Sequence, residues 1–366
     1  MRQGYLILSS GEVLKGRLFG CDGQLAVGEL VFNTSMSGYC EIMTDPSYNG
    51  QLVLFTYPLI GNYGWDDSWS ESSGIVAGAA IVHKLYTGPL PPGRKSLDEA
   101  LREHGRVGIE GIDTRALTLK LREDGAQNCI ICPEERLEEA RAILSTFPSI
   151  TERDLISQVA VREAVHRPDL GDGFSAAPEN PSHRIAVVDF GIKSSIIDNF
   201  YRLGVDVTLL PPTFSAQEVL DGDYEMLFLS NGPGDPALLG AQVEQVKACL
   251  GKIPVCGICL GHQIITWALG GRTVKMTYGH HGGNQPVRDL DSGRSFVTAQ
   301  NHNYMSDMSS LPESVHLWFV NANDGTVEGL YDSTLHVRSV QFHPEAAPGP
   351  QDALWIFKSF LEEIGK

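Results

Sequence analysis

The chain has 366 residues, of which 42% are hydrophobic and 20% charged, a composition typical of globular domains. Its 28 basic and 45 acidic residues give a formal net charge of −17, which argues against nucleic-acid binding because that function needs a basic surface. No stretch approaches the roughly 20 apolar residues of a membrane span, so no membrane partner is expected. The seven cysteines are scattered and odd in number, which favours a reducing, cytoplasmic compartment.

Residues 1–150 have the pattern of a mixed domain that is rich in β-strands. Short apolar segments bounded by Gly, Asn and Ser predict strands at residues 5–8, 13–17, 29–32 and 51–56. Segments 96–103 and 113–122 predict helices, because each begins with a side chain that can accept a hydrogen bond from the first helical turn.

Residues 151–183 predict a linker, because the stretch 164–183 is rich in Pro, Gly and Asp and has no apolar periodicity. From residue 184 to residue 366, strand-like and helix-like segments alternate. Their apolar strands predict a mostly parallel sheet with helices on both faces, in which ligands bind at the carboxyl ends of the strands. The expected fold class is therefore α/β, with a mixed, β-rich amino-terminal domain and a mostly parallel carboxy-terminal sheet.

A candidate nucleophile stands where a predicted strand, 253–258, meets a predicted helix, 260–269. The segment Gly257-Ile-Cys259-Leu-Gly261 is the cysteine counterpart of the G-x-S-x-G nucleophile elbow, a sharp turn that exposes the nucleophile above a sheet. Glycine at both flanks lets neighbouring backbone approach closely. The helix N-terminus favours negative charge, which helps Cys259 become the reactive thiolate.

A cysteine nucleophile needs a base, and the base often needs an orienting group. His343 and Glu345 are two residues apart, so in extended backbone both side chains point to the same side. The alternative base is His262, three residues beyond Cys259 on the same helix, but it has no neighbouring carboxylate. The sequence therefore favours His343 as the base and Glu345 as its orienting group.

An acyl-transfer reaction also needs N–H donors for the developing oxyanion. The N–H of Leu260 follows the nucleophile directly, as in other nucleophile elbows. A second donor is expected from the loop 230–236, in which Gly232 and Gly234 can present bare amides to a ligand.

A second function is compatible with part of this pattern. Cys256 and Cys259 form a C-x-x-C between a strand and a helix, as in thiol–disulfide redox proteins. Redox exchange, however, requires neither Gly261 nor the segments 231–234 and 343–345.

The adjacent histidines 280 and 281 suggest a metal at first sight, but no Cys or carboxylate cluster accompanies them, so a structural loop and no metal are predicted.

Taken together, three segments resemble the class I glutamine amidotransferase family: residues 257–263, 231–234 and 343–345. Four segments of the first half resemble the amino-terminal domain of carbamoyl-phosphate synthetase small subunits: residues 32–39, 44–48, 57–62 and 111–115. The resemblance implies that Cys259 attacks the side-chain amide of glutamine, forms a thioester and releases ammonia. His343 would transfer the proton, and Glu345 would orient His343.

The resemblance also implies which residues bind L-glutamine: Ser47, Gly232, Gly234, Leu260, Gln263, Asn301, Asn303 and Tyr304. The N–H groups of Gly234 and Leu260 would hold the oxyanion, and Ser47 would reach the site from the first domain. The family has Gly-Phe where this chain has Asn303-Tyr304. This change keeps an aromatic residue, and Asn tolerates left-handed backbone better than most residues, so we expect these contacts to survive.

The same resemblance implies a division of labour between two chains. This chain would carry no cofactor, whereas ATP and Mg²⁺ are expected on a large subunit that makes carbamoyl phosphate from bicarbonate for arginine and pyrimidine biosynthesis. Ammonia would reach that subunit through an internal channel. The expected assembly is a heterodimer, with further association of heterodimers left open.

Overall fold

The computed structural model describes residues 2–366, which fall into two compact units that divide between Arg153 and Asp154. The strands of the first unit are β1 Arg2–Leu8, β2 Val13–Gly20, β3 Ala26–Asn33, β4 Gln51–Phe55, β5 Leu59–Ile60, β6 Ala79–Val82, β7 Lys84–Leu85, β8 Val107–Glu110 and β9 Gln127–Pro133. Its α-helices are α1 Tyr39–Thr44, α2 Leu97–Glu103, α3 Thr114–Asp124 and α4 Leu137–Thr146.

The first unit is built on a closed β-barrel. Its strands follow the order β1, β2, β8, β6, β4, β3, β9, and β9 pairs with β1 to close the ring. The strands β3, β4, β6 and β8 pair in parallel, and the remaining neighbours pair antiparallel. This arrangement confirms the prediction of a mixed, β-rich amino-terminal domain.

Two helices of this unit begin where their capping residues predicted. Ser96 forms a capping box with Glu99 ahead of α2, because each side chain accepts a hydrogen bond from the other residue's backbone N–H. Ahead of α3, the carboxylate of Asp113 accepts from the N–H of Ala116 at 2.9 Å. Caps of this kind stabilise a helix by about 1 kcal/mol each.

The second unit contains one large sheet with helices on both faces. Its strands are β10 Val165–His166, β11 His183–Val188, β12 Val205–Leu210, β13 Met226–Leu229, β14 Val255–Ile258, β15 Thr273–Asp289, β16 Ser295–Ser306, β17 His316–Asn321, β18 Val327–Asp332 and β19 Val337–Val340. Its α-helices are α5 Ser194–Arg202, α6 Ala216–Asp221, α7 Gly240–Cys249, α8 Leu260–Ala268 and α9 Ile356–Leu361.

This sheet has a parallel half and an antiparallel half, in the order β10, β12, β11, β13, β14, β19, β18, β17, β15, β16. The five central strands from β12 to β19 pair in parallel, as the alternating sequence pattern predicted for an α/β fold. The strands from β15 to β18 add antiparallel pairs beyond β19. The sequence did not predict this half, because its strands carry polar side chains on both faces rather than a clear apolar alternation.

Both faces of the parallel half are buried. Along β11, Ala186 and Val188 pack into the hydrophobic cluster that includes α7 and α8. Ile185 and Val187 pack into the opposite cluster, which includes α5 and α9. Because successive strand residues point to opposite faces, an uninterrupted apolar strand of this kind requires cover on both sides.

The segment 151–183, predicted as a linker, is packed at a few points along its length. Leu155 and Ile156 are buried, and Ile156 belongs to a core cluster of the second unit. The short strand β10 pairs antiparallel with β12. Apolar residues that are spaced irregularly thus anchor a segment whose composition resembles that of a flexible linker.

Among the helices described in residues 2–366, none combines the length and the apolar character needed to cross a membrane.

Candidate active site

Cys259 stands at a sharp turn between β14 and α8, where its φ of 54° and ψ of −105° are unusual for a residue other than glycine. Neighbouring backbone holds this turn in place, because the N–H of Cys259 donates to Val340 O at 2.9 Å and the N–H of Gly261 donates to Ser230 O at 3.0 Å. A Cβ on Gly261 would lie 2.2 Å from Leu229 O. The close approach of β13 to α8 therefore requires glycine at residue 261.

His343 is placed beside this turn by the chain that continues from β19, where its N–H donates to Ala299 O at 2.8 Å. Its Nδ1 lies 2.5 Å from Glu345 Oε1, and both side chains are buried. Its Nε2 has no partner of good hydrogen-bond geometry among the described residues, and an interaction with Cys259 contributes to the raised pKa of His343. Glu345 therefore fixes the ring orientation and leaves Nε2 as the nitrogen that can exchange a proton with the thiol.

A buried lysine completes a row of side chains that runs from Cys259 through His343 to Glu345. The sequence analysis did not predict this lysine. Lys193 Nζ lies 3.0 Å from Glu345 Oε1 and 2.6 Å from Ala346 O, and the lysine is 2% exposed. Lys193 directly precedes α5. A cation at a helix N-terminus interacts unfavourably with the helix dipole. The position of Lys193 was therefore the one local indication in the sequence that this residue does something other than stabilise α5.

The charges in this row shift the pKa of each partner. Burial by itself would raise the pKa of Glu345, but Lys193 and His343 outweigh it, so this pKa lies well below its usual range. Burial would likewise lower the pKa of His343, but Glu345 and Cys259 outweigh it and raise this pKa. The arrangement favours a charged imidazolium next to the carboxylate of Glu345.

The alternative base, His262, is engaged elsewhere. Its Nδ1 lies 2.9 Å from Ser339 Oγ, and its Nε2 lies 2.9 Å from Ser306 Oγ. Complete burial lowers the pKa of His262 to about 3, so the ring is neutral at ordinary pH. Since both ring nitrogens already have serine partners, His262 joins α8 to two strands and has no nitrogen left for the thiol.

The loop 230–236 lies against the start of α8. A Cβ on Gly232 would fall 2.3 Å from Phe190 O and 3.0 Å from Leu260 Cδ2, so only glycine fits there. Gly234 has a φ of 101°, a conformation that side chains rarely adopt. The structure therefore brings Gly232 close to Leu260, and Gly234 lies two residues further along the same loop.

The remaining predicted glutamine contacts of this unit lie where α8 meets β16. Cys259 Sγ is 3.5 Å from Asn301 O, and Gln263 Nε2 donates to Tyr304 O at 3.1 Å. Asn303 lies within β16 and is not among the described residues with positive φ. Its backbone therefore does not require the left-handed conformation that Asn tolerates. Its Oδ1 lies 2.9 Å from His281 Nε2, and His281 Nδ1 lies 2.8 Å from Asn301 Oδ1.

Ser47 belongs to the first unit and lies in the short 3-10 helix Pro46–Tyr48. Its side chain is buried, and its N–H donates to Asp45 Oδ1 at 2.8 Å. Asp45 thereby caps this 3-10 helix and fixes the backbone at Ser47. A contact between Ser47 and glutamine stays a prediction from the resemblance.

Neither Cys256 nor Cys259 is part of a disulfide. Cys256 is fully buried in β14, and burial raises the pKa of its thiol. A buried thiol that resists ionisation is poorly suited to disulfide exchange, which proceeds through an accessible thiolate. The structure thus does not favour a redox role for this pair.

His280, His302 and Glu328 are buried, with potential ligand atoms within 4.8 Å of one another. Their ring nitrogens have protein partners, however. His280 Nε2 lies 2.8 Å from Asp324 Oδ2, and His302 Nδ1 lies 2.9 Å from Tyr304 O. His302 Nε2 lies 3.2 Å from Gln300 Oε1. His280 therefore connects β15 with the loop between β17 and β18, whereas the contacts of His302 lie within β16.

Comparison with known families divides the chain into the same two halves. The family described as carbamoyl-phosphate synthase small chain, CPSase domain, matches residues 6–131. The family described as glutamine amidotransferase class-I matches residues 186–363, which include Cys259, His343 and Glu345.

Full-length relatives are similar over nearly the whole chain, and each is named carbamoyl phosphate synthase small chain. The protein from Syntrophotalea carbinolica is 43% identical over 99% of this chain and 97% of its own length. That from Methanopyrus kandleri is 43% identical over 97% of both chains. That from Methanosarcina mazei is 44% identical over 94% of both chains.

Proposed function

Because the chain belongs to the carbamoyl phosphate synthase small chain family, we propose that it hydrolyses the side-chain amide of glutamine and passes the ammonia to a large chain. The observation that carries this proposal is the buried row from Lys193 through Glu345 and His343 to Cys259. Such a row supplies a nucleophile, a proton carrier and a fixed orientation for that carrier.

The proposed reaction begins with the thiolate of Cys259 and the imidazolium of His343. The thiolate attacks the side-chain carbonyl carbon of glutamine, and the oxyanion accepts hydrogen bonds from the N–H groups of Leu260 and Gly234. When the carbon–nitrogen bond breaks, His343 Nε2 donates its proton to the leaving nitrogen. The products of this step are ammonia and a glutamyl thioester.

Water then hydrolyses the thioester. The neutral imidazole of His343 takes a proton from the attacking water, the carbon–sulfur bond breaks, and glutamate leaves. Sulfur departs as the thiolate, and His343 is again the imidazolium. Throughout this cycle Glu345 keeps Nδ1 of His343 protonated and oriented, and Lys193 keeps Glu345 ionised in its buried position.

Recognition of glutamine is proposed to use the residues that the resemblance implies. Gln263, Asn301, Asn303, Tyr304 and Gly232 would contact the substrate, and Ser47 is kept as a further proposed contact. The close packing at Gly232 and the contacts of Cys259 and Gln263 with β16 support this assignment within the second unit.

The partner is proposed to be the large subunit of the synthase. It would hold ATP and Mg²⁺, use bicarbonate and the channelled ammonia, and make carbamoyl phosphate for arginine and pyrimidine biosynthesis. The pair would form a cytoplasmic heterodimer, with further association of heterodimers left open.

The test measures glutamate release from glutamine by this chain, alone and with its large subunit, for the wild type and Cys259→Ser. We expect release that depends on Cys259 and rises when the large subunit, bicarbonate and ATP are present. If the wild type released no more glutamate than Cys259→Ser even with the partner, the proposal would be wrong.

A further inference from the structure

A row of polar side chains on β19 and its continuation faces α8. Ser339 contacts His262, Gln341 contacts Gln263, and His343 interacts with Cys259. The spacing of two residues is that of an extended strand, which places alternate side chains on one face. Gln341 is completely buried in the middle of this row.

The hydrogen bonds of Gln263 determine how its amide group is oriented. Its Nε2 lies 3.1 Å from Tyr304 O, a main-chain carbonyl that can only accept, so the nitrogen must stand there. The second N–H of the same nitrogen points to Gln341 Oε1 at 3.0 Å. Both donors of Gln263 are therefore used, and among the described residues none donates a hydrogen bond to its Oε1.

The same logic fixes the amide group of Gln341. Because Gln263 presents a donor, the atom of Gln341 that faces it must be the oxygen. If the Gln341 amide were flipped, an N–H group of Gln341 would face an N–H group of Gln263. In this orientation Gln341 Nε2 is buried and has no partner in the described chain. An unpaired buried donor is costly. The Gln341 amide thus keeps the orientation that forms the hydrogen bond to Gln263, although this orientation leaves Gln341 Nε2 unpaired.

We propose that Gln341 is a positioning residue for substrate recognition, which holds the Gln263 amide so that its oxygen faces glutamine. Gln263 then presents an acceptor to an N–H group of the substrate, and its own N–H groups are kept away from the site. This inference rests on the proposed function, since it requires that Gln263 contacts glutamine.

The test compares Gln341→Leu, Gln341→Glu and Ser339→Ala in the complex with the large subunit, measuring kcat and KM for glutamine. Gln341→Leu removes the acceptor and is expected to raise KM about tenfold, the effect of about one hydrogen bond, with little change in kcat. Gln341→Glu keeps an acceptor oxygen, so its KM for glutamine is expected to stay close to the wild-type value. Ser339→Ala alters the neighbouring contact with His262 and is expected to leave KM unchanged.

A double substitution tests whether Gln341 acts through Gln263. Gln263→Met is expected to raise KM by itself, and adding Gln341→Leu to it is expected to have no further effect. Alkylation of Cys259 by iodoacetamide, which does not require the glutamine contacts, checks that each variant keeps an intact elbow. If Gln341→Leu kept the wild-type KM, or if the two effects simply multiplied, the positioning role would be wrong. A wild type that released no glutamate would instead overturn the proposed function.

Discussion

At the scale of single residues, Cys259 is held in a conformation that its side chain disfavours. Its φ of 54° lies in the left-handed range, where a residue other than glycine costs on the order of 1–3 kcal/mol. The hydrogen bonds from Cys259 N–H to Val340 O and from Gly261 N–H to Ser230 O hold the turn against this cost. The thiol is thereby fixed between the start of α8 and His343.

The first prediction concerns Glu345→Gln. Glu345 raises the pKa of His343, so removing its charge lets the imidazolium lose its proton at lower pH. Activity that requires a thiolate and an imidazolium falls at alkaline pH when the imidazolium is lost. The alkaline limb of the kcat/KM profile for glutamate release should therefore move to lower pH in this variant. An unchanged alkaline limb would mean that another group, and not His343, sets it.

The second prediction concerns Lys193→Met. Loss of one partner from a buried ion pair leaves Glu345 as an uncompensated charge, which destabilises a protein by about 3–5 kcal/mol. Urea unfolding should show this loss, and Glu345→Gln in the same chain should recover part of it. Lys120→Met, which removes a partly exposed partner of Asp124 and Glu12, serves as the control and should change stability little. Equal losses in the two lysine variants would contradict the structural role of the buried pair.

At the scale of elements, the elbow depends on how closely α8 approaches the strands beside it. The first turn of α8 lies against Leu229 at the end of β13, and Gly257 of β14 lies close to Gly261. Leu260, Ile264 and Ile265 of α8 are buried in the core on this face of the sheet. The helix position is thus set by backbone contact at one end and by apolar packing along its length.

The third prediction compares two glycines that lie in the first turn of a helix. Gly261→Ala would place a Cβ 2.2 Å from Leu229 O, so either the helix or β13 must move. We expect a loss of about 1–3 kcal/mol in unfolding free energy, together with slower alkylation of Cys259. Gly240→Ala at the start of α7 meets open space and should be neutral or stabilising by up to about 1 kcal/mol. Equal behaviour of the two variants would show that the close approach at Gly261 is not required.

At the scale of the whole molecule, the hydrophobic cores follow the division into two units. The clusters around the large sheet consist of residues beyond Asp154, and those around the barrel consist of residues before it. A unit with its own core is expected to fold without the other. Ile156 of segment 154–183 belongs to the core of the second unit, and Val161 and Val165 pack against it, although the composition of this segment suggested a linker.

The fourth prediction concerns fragments of the second unit. A fragment of residues 154–366 should unfold in one cooperative thermal transition and retain near-ultraviolet circular dichroism. A fragment of residues 184–366 lacks Ile156, which packs into the core of this unit, and β10, which pairs with β12, so it should have a lower Tm. Equal Tm values for the two fragments would show that segment 154–183 acts only as a linker.

Much of the site could be predicted because it depends on residues that are close in sequence. The strand, glycine, cysteine, glycine and helix of the elbow lie within one short segment, and the two-residue spacing of His343 and Glu345 fixes their common face. The helices α2 and α3 were predicted for the same reason, since each is capped by its own first residues. The alternation of apolar strands with helices determined the parallel half of the sheet.

The rest depends on contacts between residues that are far apart in the chain, for which the sequence has no local signal. Lys193 and Glu345 are 152 residues apart, and Gln263 and Gln341 are 78 residues apart. The same holds for the hairpin of β15 and β16, whose polar residues fit no apolar period and yet place Asn301 and Tyr304 beside α8. The sequence by itself indicated Cys259 as the candidate nucleophile and His343 as the candidate proton carrier, because both assignments rest on local residue spacing. Only the tertiary structure decided which buried side chains hold them in position, because burial and pairing arise when distant strands and helices pack together.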